Sequence, residues 1–401
     1  MSRTAKTLPN VFLMLILGSL QGLMPISIDM YLPAMPTIAR ELAVSAGDVQ
    51  YTLAIFLFGS AIGQLLYGPI TDAFGRKRPL YVGFVLYCIG TLICASSSTI
   101  QALVIGRFVQ AVGAAATGVI TSAIARDLWS GAELAHRLST LMMILGAAPI
   151  LAPSLGGFIL LRWDWHGLFW FLTAFGIVSA VAVTFLPETS SPESRTALNF
   201  GNTIDSFKIL LRNRRFVAYL LTSAAAGGML LTYITSSSFI YIELLGVTPS
   251  QFALFFGINA CGIVAASTLN RVLLKRFSLQ RIAQTTVLST IAISIVLIIG
   301  ASFGLTNLPI LSGLFFLLIL SIGMVFPNLG ALTFGAIESL FGSASALSGM
   351  ISSIIGGIAG ALVSAYSHGA LLPVTMIIGG FAVFGAVMFA VGRSAEHSLK
   401  H

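Results

Sequence analysis

The sequence predicts an all-α polytopic membrane protein with twelve transmembrane helices, arranged as two six-helix halves. Of its 401 residues, 57% are hydrophobic and only 8% are charged. A soluble domain carries roughly 25% charged residues because its surface faces water, so most of this chain must face lipid. Apolar runs of about 20 residues, the length that crosses a bilayer, recur along nearly the whole sequence. Lys and Arg are concentrated in alternate connections between these runs, as in proteins that cross the membrane many times.

The apolar runs end at charged, Gly or Pro residues, which sets the predicted limits of the helices. The first six helices are predicted over residues 11–32, 50–71, 79–97, 100–122, 138–160 and 167–186. The second six are predicted over residues 216–240, 251–273, 282–304, 309–332, 344–366 and 370–392. Gly and other small residues blur the limits around 120–140 and 326–345.

The longest polar stretch follows the sixth run and divides the chain. It contains Ser and Pro residues and ends on a basic cluster. We therefore predict an N-terminal half over 1–186, a cytoplasmic linker over 187–215 and a C-terminal half over 216–401. Transporters built from two such repeats bind their substrate between the repeats, near the middle of the bilayer.

Membrane topology explains the net charge of +8 better than nucleic-acid binding does. With the N-terminus placed in the cytoplasm, every Lys and Arg falls on the cytoplasmic side except Arg40, Arg162 and Arg107. Arg107 lies inside a predicted span. The bias predicts that both termini are cytoplasmic, and no aromatic and basic nucleic-acid module accompanies it.

The sequence lacks the signatures of enzymes, cofactor sites and metal sites. It contains no Walker loop, no HExxH motif and no G-x-S-x-G elbow. Its cysteines, Cys88, Cys94 and Cys261, lie inside apolar runs without the spacing of a metal site or a disulfide framework. We therefore expect a protein without catalytic activity, metal or cofactor.

Asp29 is one of two charged residues that the predicted spans bury. Gln21, Pro25 and Asp29 recur every four residues and so share one face of the first helix. A carboxylate at the centre of a bilayer costs about 2.5–3.5 kcal/mol, so its presence there indicates a function. Burial favours its neutral form near neutral pH, which suits a group that carries protons. The alternative is a carboxylate at the outer helix end that is exposed to water or caps a neighbour.

Arg107 is the second buried charge, and Gln110 lies one turn further along the same face of the fourth helix. A guanidinium keeps its charge in proteins, so it must pair with an acid or face an aqueous cavity. It would then hold the ionised Asp29 or bind the polar end of a substrate. The alternative is a structural arginine that donates hydrogen bonds to backbone carbonyls of neighbouring helices.

Five uncharged residues inside predicted spans are candidates for the lining of a substrate cavity. They are Gln21, Met24, Gln110, Tyr233 and Asn259. Ordinary hydrogen bonding between helices is the alternative for the polar members of this set. Plain packing is the alternative for the methionine, whose flexible side chain also suits an adaptable apolar site.

The connection between the second and third predicted helices carries a specific motif over 68–80, Gly-Pro-Ile-Thr-Asp-Ala-Phe-Gly-Arg-Lys-Arg-Pro-Leu. Its glycines, Gly68 and Gly75, allow tight turns. The motif resembles the signature loop of the major facilitator superfamily. This resemblance implies that Asp72 caps a helix of the other half and closes an inner gate. A basic loop that only fixes the topology is the alternative interpretation.

Ala73 departs from the pattern of that family, which usually has a basic residue at this position. We expect Arg76 and Asp127 to compensate for the missing charge. The motif therefore predicts a gating role for Gly68, Asp72, Gly75, Arg76 and Asp127.

Two further helices extend the resemblance. Residues 103–115 of the fourth helix resemble the second motif of the family, whose arginine, here Arg107, is implicated in proton transfer. The fifth helix resembles the antiporter motif of drug exporters through three residues that suit a hinge or a seal: Pro153, Gly156 and Gly157. Ala148 and Ala152 stand where that motif has glycines, which lowers the match.

The first predicted helix identifies a branch of the family. Residues 27–36 resemble the first-helix motif of twelve-helix drug:proton antiporters, as do residues 162–170 and the Leu-Pro-Glu-Thr sequence over 186–189. Together they most resemble the exporters that confer bicyclomycin and chloramphenicol resistance. The resemblance implies that Asp29 is the principal proton carrier and that Arg107 is its partner.

The resemblance implies a proton-coupled antiporter that exports small amphipathic drugs across the bacterial cytoplasmic membrane by alternating access. Compounds like chloramphenicol or bicyclomycin are the expected substrates, and the proton gradient is the expected energy source, without a cofactor. We expect a monomer. Two alternatives stay open: an exporter of an endogenous metabolite such as an amino acid, and a membrane receptor that keeps the fold without transport.

Overall fold

The computed structural model of the protein describes residues 10–190, 200–367 and 369–397, and no strand occurs among them. The helices lie in the following order along the chain: α1 (Asn10–Asp29), α2 (Met35–Glu41), α3 (Ala46–Phe74), α4 (Lys77–Ala95), α5 (Ile100–Leu128), α6 (Gly131–Leu160), α7 (His166–Phe185), α8 (Phe200–Arg212), α9 (Arg214–Ser238), α10 (Pro249–Leu273), α11 (Leu279–Ser302), α12 (Leu308–Phe334), α13 (Phe341–Tyr366) and α14 (Leu371–His397). A 3₁₀ turn (Leu32–Ala34) precedes α2, and a π-helical segment (Phe239–Leu244) continues α9.

The predicted all-α membrane fold is confirmed. Among the described residues, eleven helical segments are long and apolar enough to cross a membrane, and Gly146–Leu160 of α6 is a shorter apolar segment. The twelve predicted spans coincide with α1, α3 to α7 and α9 to α14. The sequence of α6 is also apolar over 141–145, and Glu133, His136 and Arg137 lie only in its first turns.

The end of the first helix differs from the prediction. α1 ends at Asp29 instead of residue 32, and the chain then forms the 3₁₀ turn and the unpredicted short helix α2. Pro33 explains this, because proline lacks the backbone N–H that would continue the helix and disfavours helical geometry in the residue before it. Asp29 is therefore the last residue of α1.

The limits around residues 120–140 also differ, because α5 and α6 are longer than their apolar runs. α5 continues to Leu128 and α6 begins at Gly131, where the predictions were 122 and 138. Polar helical turns extend both helices beyond their apolar parts. Gly131 separates them with a φ of +54°, in the left-handed region that favours glycine.

The predicted linker contains a helix that its polar composition did not reveal. Residues 191–199 of the linker lie outside the described part, but α8 follows them directly. α8 is amphipathic: Phe207 and Leu210 are buried, while Ile204 and Leu211 on the edge of the same face are about half exposed. Asn213 then caps α9 by accepting hydrogen bonds from the backbone N–H groups at 215 and 216.

The described residues belong to two compact units. The first comprises those within Met1–Tyr31 and Ile55–Phe200, and the second those within Leu32–Ala54 and Gly201–His401. α3 contributes residues up to Ala54 to the second unit and residues from Ile55 onward to the first. The predicted division into halves at a linker over 187–215 stays a prediction.

Several contacts hold residues 32–54 to the rest of the second unit. Arg40 Nη1 forms an ion pair of 2.6 Å with Glu243 Oε1, although both side chains are largely exposed. Ser367 Oγ donates a hydrogen bond of 2.9 Å to Gln50 Oε1, and both residues are buried. The Gly47 backbone approaches the carbonyl of Ser364 so closely that a Cβ there would collide with it.

Glycines bring α4 and α5 into close contact in the first unit. A Cβ on Gly90 would collide with the backbone of Gln110, and a Cβ on Gly113 would collide with the backbone at Tyr87. Small residues at such contacts let helix backbones approach, which is how membrane helices gain packing energy where there is no hydrophobic drive between them. This contact sets the position of the polar side chains on α5.

We predict that Gly90→Ala destabilises the protein, because the added methyl must displace the α5 backbone. Overpacking of this kind costs roughly 1–3 kcal/mol. The measurement is the thermal unfolding of purified protein in detergent, where the variant should unfold at a lower temperature.

Gly118→Ala in α5 is the matched control, since a Cβ at this glycine would meet no atom within 4 Å. Alanine has the higher helix propensity, by roughly 0.5–1 kcal/mol, so this variant should be as stable as the wild type or more stable. Equal destabilisation by the two substitutions would contradict the proposed role of the Gly90 contact.

Candidate functional site

Arg107 lies at the centre of a buried polar cluster in the first unit. Its side chain is fully buried, and Nη1 donates hydrogen bonds to Gln110 Oε1 at 2.8 Å and to the backbone oxygen of Ser27 at 2.9 Å. Its Cζ atom lies over the rings of Tyr31 and Phe56, 4.7 Å and 4.4 Å from their centroids. Cation–π contacts of this kind stabilise a desolvated guanidinium by about 2 kcal/mol.

The hydrogen bonds continue from Arg107 through α4 and α1. Gln110 Nε2 donates to Thr91 Oγ1 at 3.1 Å, and Thr91 donates to the Tyr87 backbone oxygen at 2.6 Å. The Tyr87 hydroxyl lies 2.9 Å from Ser27 Oγ. The cluster therefore joins three helices through side chains that all lie in the buried interior of the unit.

Two donor groups of Arg107, Nε and Nη2, have no hydrogen-bond partner among the described residues. A buried charged donor without a partner costs free energy, so such a group in a native structure points to an unseen partner or to a second state. Arg107 therefore has free capacity to bind an acid, a substrate or water.

Asp29 is buried, with 3% of its surface exposed, at the last turn of α1. It lies two residues beyond Ser27, whose carbonyl accepts the hydrogen bond from Arg107. Asp29 forms no ion pair within 4.0 Å with any described residue. The expected pairing with Arg107 is thus not formed in this structure, although both groups lie at the same end of α1.

Gln21 and Met24 lie on α1, N-terminal to Asp29, and both are partly buried. Gln21 Oε1 has no hydrogen-bond partner among the described residues. Ser60 Oγ of α3 contacts Met24 Sδ at 3.6 Å and accepts a hydrogen bond of 2.9 Å from Gln64. The predicted roles of Gln21 and Met24 in substrate binding stay predictions.

The motif of the fifth predicted helix, which is α6 of the structure, packs against the C-terminal end of α1. Pro153, Gly156 and Gly157 are all buried in α6. A Cβ on Gly156 would collide with the backbone oxygen of Met30, which is the residue after Asp29. Glycine at this position thus lets α6 touch the backbone beside the buried carboxylate. Ala148 and Ala152, which replace glycines of the motif, are buried without disturbing α6.

The motif over 68–80 forms a charged cluster centred on Arg76. Its guanidinium binds Asp127 through two hydrogen bonds, Nε to Oδ2 at 2.8 Å and Nη2 to Oδ1 at 3.2 Å. Nη1 also pairs with Asp72 at 3.0 Å. We expected Arg76 and Asp127 to compensate for the base that is missing at Ala73. The structure shows that these two side chains are in contact.

Burial by itself lowers the pKa of Arg76, but the hydrogen bonds and charges of Asp127 and Asp72 outweigh it and raise this pKa above its ordinary value. The guanidinium therefore keeps its charge throughout the physiological range. A change of pH leaves the base of this cluster charged.

The two glycines of this motif differ in their roles. Gly75 has a φ of +84° and makes the turn between α3 and α4, as predicted. Gly68, in contrast, lies within α3, which continues through Pro69 to Phe74, so the expected tight turn at Gly68 is wrong. A Cβ on Gly68 would meet no atom within 4 Å, so no contact at this position requires glycine.

Glu188 and Thr189 complete the charged cluster, and the sequence did not assign them a role. Glu188 accepts hydrogen bonds from the backbone N–H groups of Arg76 at 2.8 Å and Lys77 at 3.1 Å. It thus caps the N-terminus of α4, where a negative charge is favourable. Thr189 Oγ1 donates to Asp127 Oδ2 at 2.7 Å. The sequence indicated these two residues only through the resemblance of residues 186–189 to a family motif.

A second buried polar cluster lies in the second unit. Asn259 Nδ2 of α10 donates hydrogen bonds to the hydroxyls of Tyr233 at 2.8 Å and Tyr241 at 3.1 Å. The Tyr241 hydroxyl donates to Ser312 Oγ at 3.1 Å. Tyr241 lies in the π-helical segment that follows α9, a distortion that is frequent at functional sites.

Aromatic rings surround this second cluster. The Tyr233 ring stacks on Phe256 with centroids 5.9 Å apart and lies 4.9 Å from Phe315. The Tyr241 ring stacks on Phe255 at 5.7 Å. Tyr233 and Asn259, predicted separately from the sequence, are thus brought together, while Tyr241 was missed because the change of helical register behind it leaves no pattern in the sequence.

Comparison with known proteins finds relatives over most of the chain. The sequence model of the Major Facilitator Superfamily matches residues 17–361. The chain is 36% identical over 391 residues to the uncharacterized MFS-type transporter YdgK of Bacillus subtilis, covering 95% of this chain and 96% of YdgK. It is 31% identical over 383 residues to the bicyclomycin resistance protein homolog of Haemophilus influenzae, covering 94% of each.

Among solved structures, that of a D-xylose–proton symporter superposes on the chain with a TM-score of 0.73, covering 95% of this chain and 97% of the symporter. Its sequence identity of 15% is low, so the likeness concerns the fold alone.

We predict that Asp127→Asn destabilises the first unit more than Asp72→Asn does. Asp127 binds Arg76, whose side chain is only 12% exposed, through both carboxylate oxygens and also accepts from Thr189. The Asp72 side chain, in contrast, is 60% exposed and makes one contact. Hydrogen bonds to charged groups contribute roughly 1.5–3 kcal/mol when sheltered, and exposed pairs on a helix less than about 0.5 kcal/mol.

The measurement is thermal unfolding of the two variants in detergent. Each variant loses one negative charge at the same end of the unit, so the two serve as matched controls for net charge. Equal stability of the two would show that the bidentate contact adds nothing to the fold.

Proposed function

The chain belongs to the Major Facilitator Superfamily, and on that premise we propose that it is a proton-coupled antiporter that exports small amphipathic drugs. It is a multi-pass membrane transporter of small molecules, and the family contains transporters, not enzymes. The proposal adds the coupling ion, the direction and the substrate class. It rests above all on the isolated carboxylate of Asp29.

Asp29 has the properties that a proton carrier needs. It is buried in a membrane-spanning helix without a cationic partner among the described residues. A charge in this setting is costly, so the geometry favours the protonated acid. Such a carboxyl would release its proton when the transport cycle exposes it to water and bind one again when it is buried. This exchange couples transport to the proton gradient.

Arg107 is the proposed partner of the ionised form. Its free Nε and Nη2 groups and its hydrogen bond to Ser27 place unused donors beside the last turn of α1. When Asp29 loses its proton, these donors would stabilise the carboxylate, and they would be released when the proton returns. An arginine suits this role because it keeps its charge throughout the cycle.

Alternating access between an N-terminal half (1–186) and a C-terminal half (216–401), joined by the linker (187–215), is the proposed transport movement. In this scheme the charged cluster around Arg76 makes one end of the first unit rigid and presents the exposed Asp72 for gating. The buried glycines of α6 would act as a hinge or a seal beside Asp29.

Small amphipathic compounds like bicyclomycin or chloramphenicol are the proposed substrates. The name of the relative from Haemophilus influenzae, a bicyclomycin resistance protein homolog, supports this class. The proposed binding residues on the first unit are Gln21, Met24 and Gln110, and those on the second are Tyr233 and Asn259. Gln21 Oε1 is an acceptor without a partner among the described residues. Tyr233 and Asn259 are hydrogen-bonded to each other, and this bond would have to break before they bind a ligand.

We further propose that the protein is a monomer in the bacterial inner membrane with both termini in the cytoplasm, as the distribution of Lys and Arg indicates. One proton that crosses a potential of about 100 mV supplies about 2.3 kcal/mol, with the pH gradient added. This energy supports a concentration ratio of about fifty, so one acid suffices for the export of a neutral compound without a cofactor.

We predict that Asp29→Asn abolishes concentrative transport, because an amide cannot carry a proton. The measurement is uptake of a labelled chloramphenicol- or bicyclomycin-like compound into proteoliposomes under an imposed pH gradient. The wild type should accumulate the compound, and the variant should only let it equilibrate.

Asp205→Asn is the matched control, since its side chain is 67% exposed on α8 and it loses the same charge. It should transport like the wild type. Continued pumping by Asp29→Asn would place the proton site elsewhere. Failure of the wild type to move any such compound would favour an exporter of an endogenous metabolite or a receptor without transport.

A further inference from the structure

A cavity of about 200 Å³ lies in the second unit where α10, α11 and α12 meet. Its apolar walls are formed by Leu273, Phe277, Ile282 and Met324. Ile282 and Met324 are 4% exposed and belong to a buried cluster with Ala266. Phe277 at the edge is 43% exposed, so the cavity reaches the surface of the unit.

The apolar walls continue into the outer surface of the helices around the cavity. Val272 and Leu274, which flank Leu273, are 52% and 44% exposed, and Leu288 on α11 is 54% exposed. In a membrane-spanning helix, exposed apolar side chains of this kind face acyl chains. The cavity is therefore an indentation of the lipid-facing surface, which a lipid tail reaches without crossing the protein.

Arg281 supplies the charged donor of the cavity wall. The hydroxyls of Thr285 and Thr286, which also line the cavity, donate to the backbone oxygens of residues 281 and 282 at 2.9 Å each. These two hydroxyl hydrogens are therefore bonded within α11 and are not available as donors to a ligand. The guanidinium of Arg281 forms no ion pair with any residue in the described ranges, so it is available for an anion.

The surroundings of Arg281 are strongly positive. Three further bases, Arg271, Lys275 and Arg276, precede it, and no Asp or Glu occurs in the sequence between Glu243 and Glu338. α11 begins at Leu279, and its N-terminal amide groups add a partial positive charge at the same place. This stretch of the sequence thus contains no acid that could neutralise these bases.

We propose that this cavity binds one anionic phospholipid, with the phosphate at Arg281 and an acyl chain along Leu273, Phe277 and Met324. Basic pockets between membrane helices on the cytoplasmic side bind anionic headgroups in this way. The proposed orientation assigns these bases to the cytoplasmic side, so the site rests on that proposal. A soluble anion would use Arg281 but make no contact with the apolar walls. A zwitterionic lipid would bring a cation towards the other bases.

The test measures binding of lipid to the purified full-length protein in a non-ionic detergent. Dioleoyl phosphatidylglycerol and dioleoyl phosphatidylcholine are titrated separately, and bound lipid is counted by native mass spectrometry. The wild type should bind phosphatidylglycerol more tightly than phosphatidylcholine, and added salt should weaken the former. Because this measurement involves no transport, its failure is distinct from a failure of the proposed export function.

Three variants locate the binding. Arg281→Gln should weaken the binding of phosphatidylglycerol about fivefold, the effect of one base at an anionic headgroup, and leave phosphatidylcholine unchanged. Arg162→Gln removes the same charge from an exposed position between α6 and α7 and should have no effect. Thr285→Phe keeps every charge but fills the mouth of the cavity, and it should also weaken the binding of phosphatidylglycerol.

Several results would overturn the proposal. Equal affinity for the two lipids would show that the site does not recognise the anionic headgroup. Equal losses in Arg281→Gln and Arg162→Gln would show that the net charge of the protein alone attracts the lipid. Full binding by Thr285→Phe would remove the cavity from the site. Displacement of the lipid by equimolar glycerol 3-phosphate would show that the site takes a soluble anion. If Arg281→Gln does not fold, the Thr285→Phe variant and the salt dependence decide the question.

Discussion

The burial of the permanently charged Arg107 among helices in lipid is the constraint on which the first unit depends. A guanidinium cannot shed its charge, so the surrounding helices must supply acceptors and aromatic faces. Gln110, the Ser27 carbonyl and two rings do so. Thr91 of α4 extends this network through Gln110, and glycines let α4 approach the backbone of α5. The polar network of the first unit therefore runs between helices that pack closely through glycines.

The two units bury polar groups in different ways. The interior of the first holds an acid and a base that are not paired with each other, whereas the cluster of the second consists of neutral hydroxyls and an amide within aromatic rings. A neutral cluster whose donors and acceptors are paired is insensitive to pH in the physiological range. On the proposed mechanism, proton coupling therefore belongs to the first unit, and the second contributes shape and stacking surfaces.

The sequence predicts the helices well because a membrane span is an apolar run, and it fails where a helix leaves the apolar region or departs from regular geometry. The polar ends of α5 and α6, the amphipathic α8 and the π-helical segment around Tyr241 were missed for this reason. The contact of Arg76 with Asp127 was predicted from the motif. The capping by Glu188 was not, since hydrogen bonds between distant segments leave no periodic pattern.

Capping of α4 by Glu188 sets an order for biosynthesis. The amide groups of Arg76 and Lys77 are translated more than a hundred residues before the carboxylate that binds them. α4 therefore enters the membrane with its N-terminus solvated by water, and its cap arrives only after α7 has been made. Glu188 is thus translated before any residue of α9 to α14.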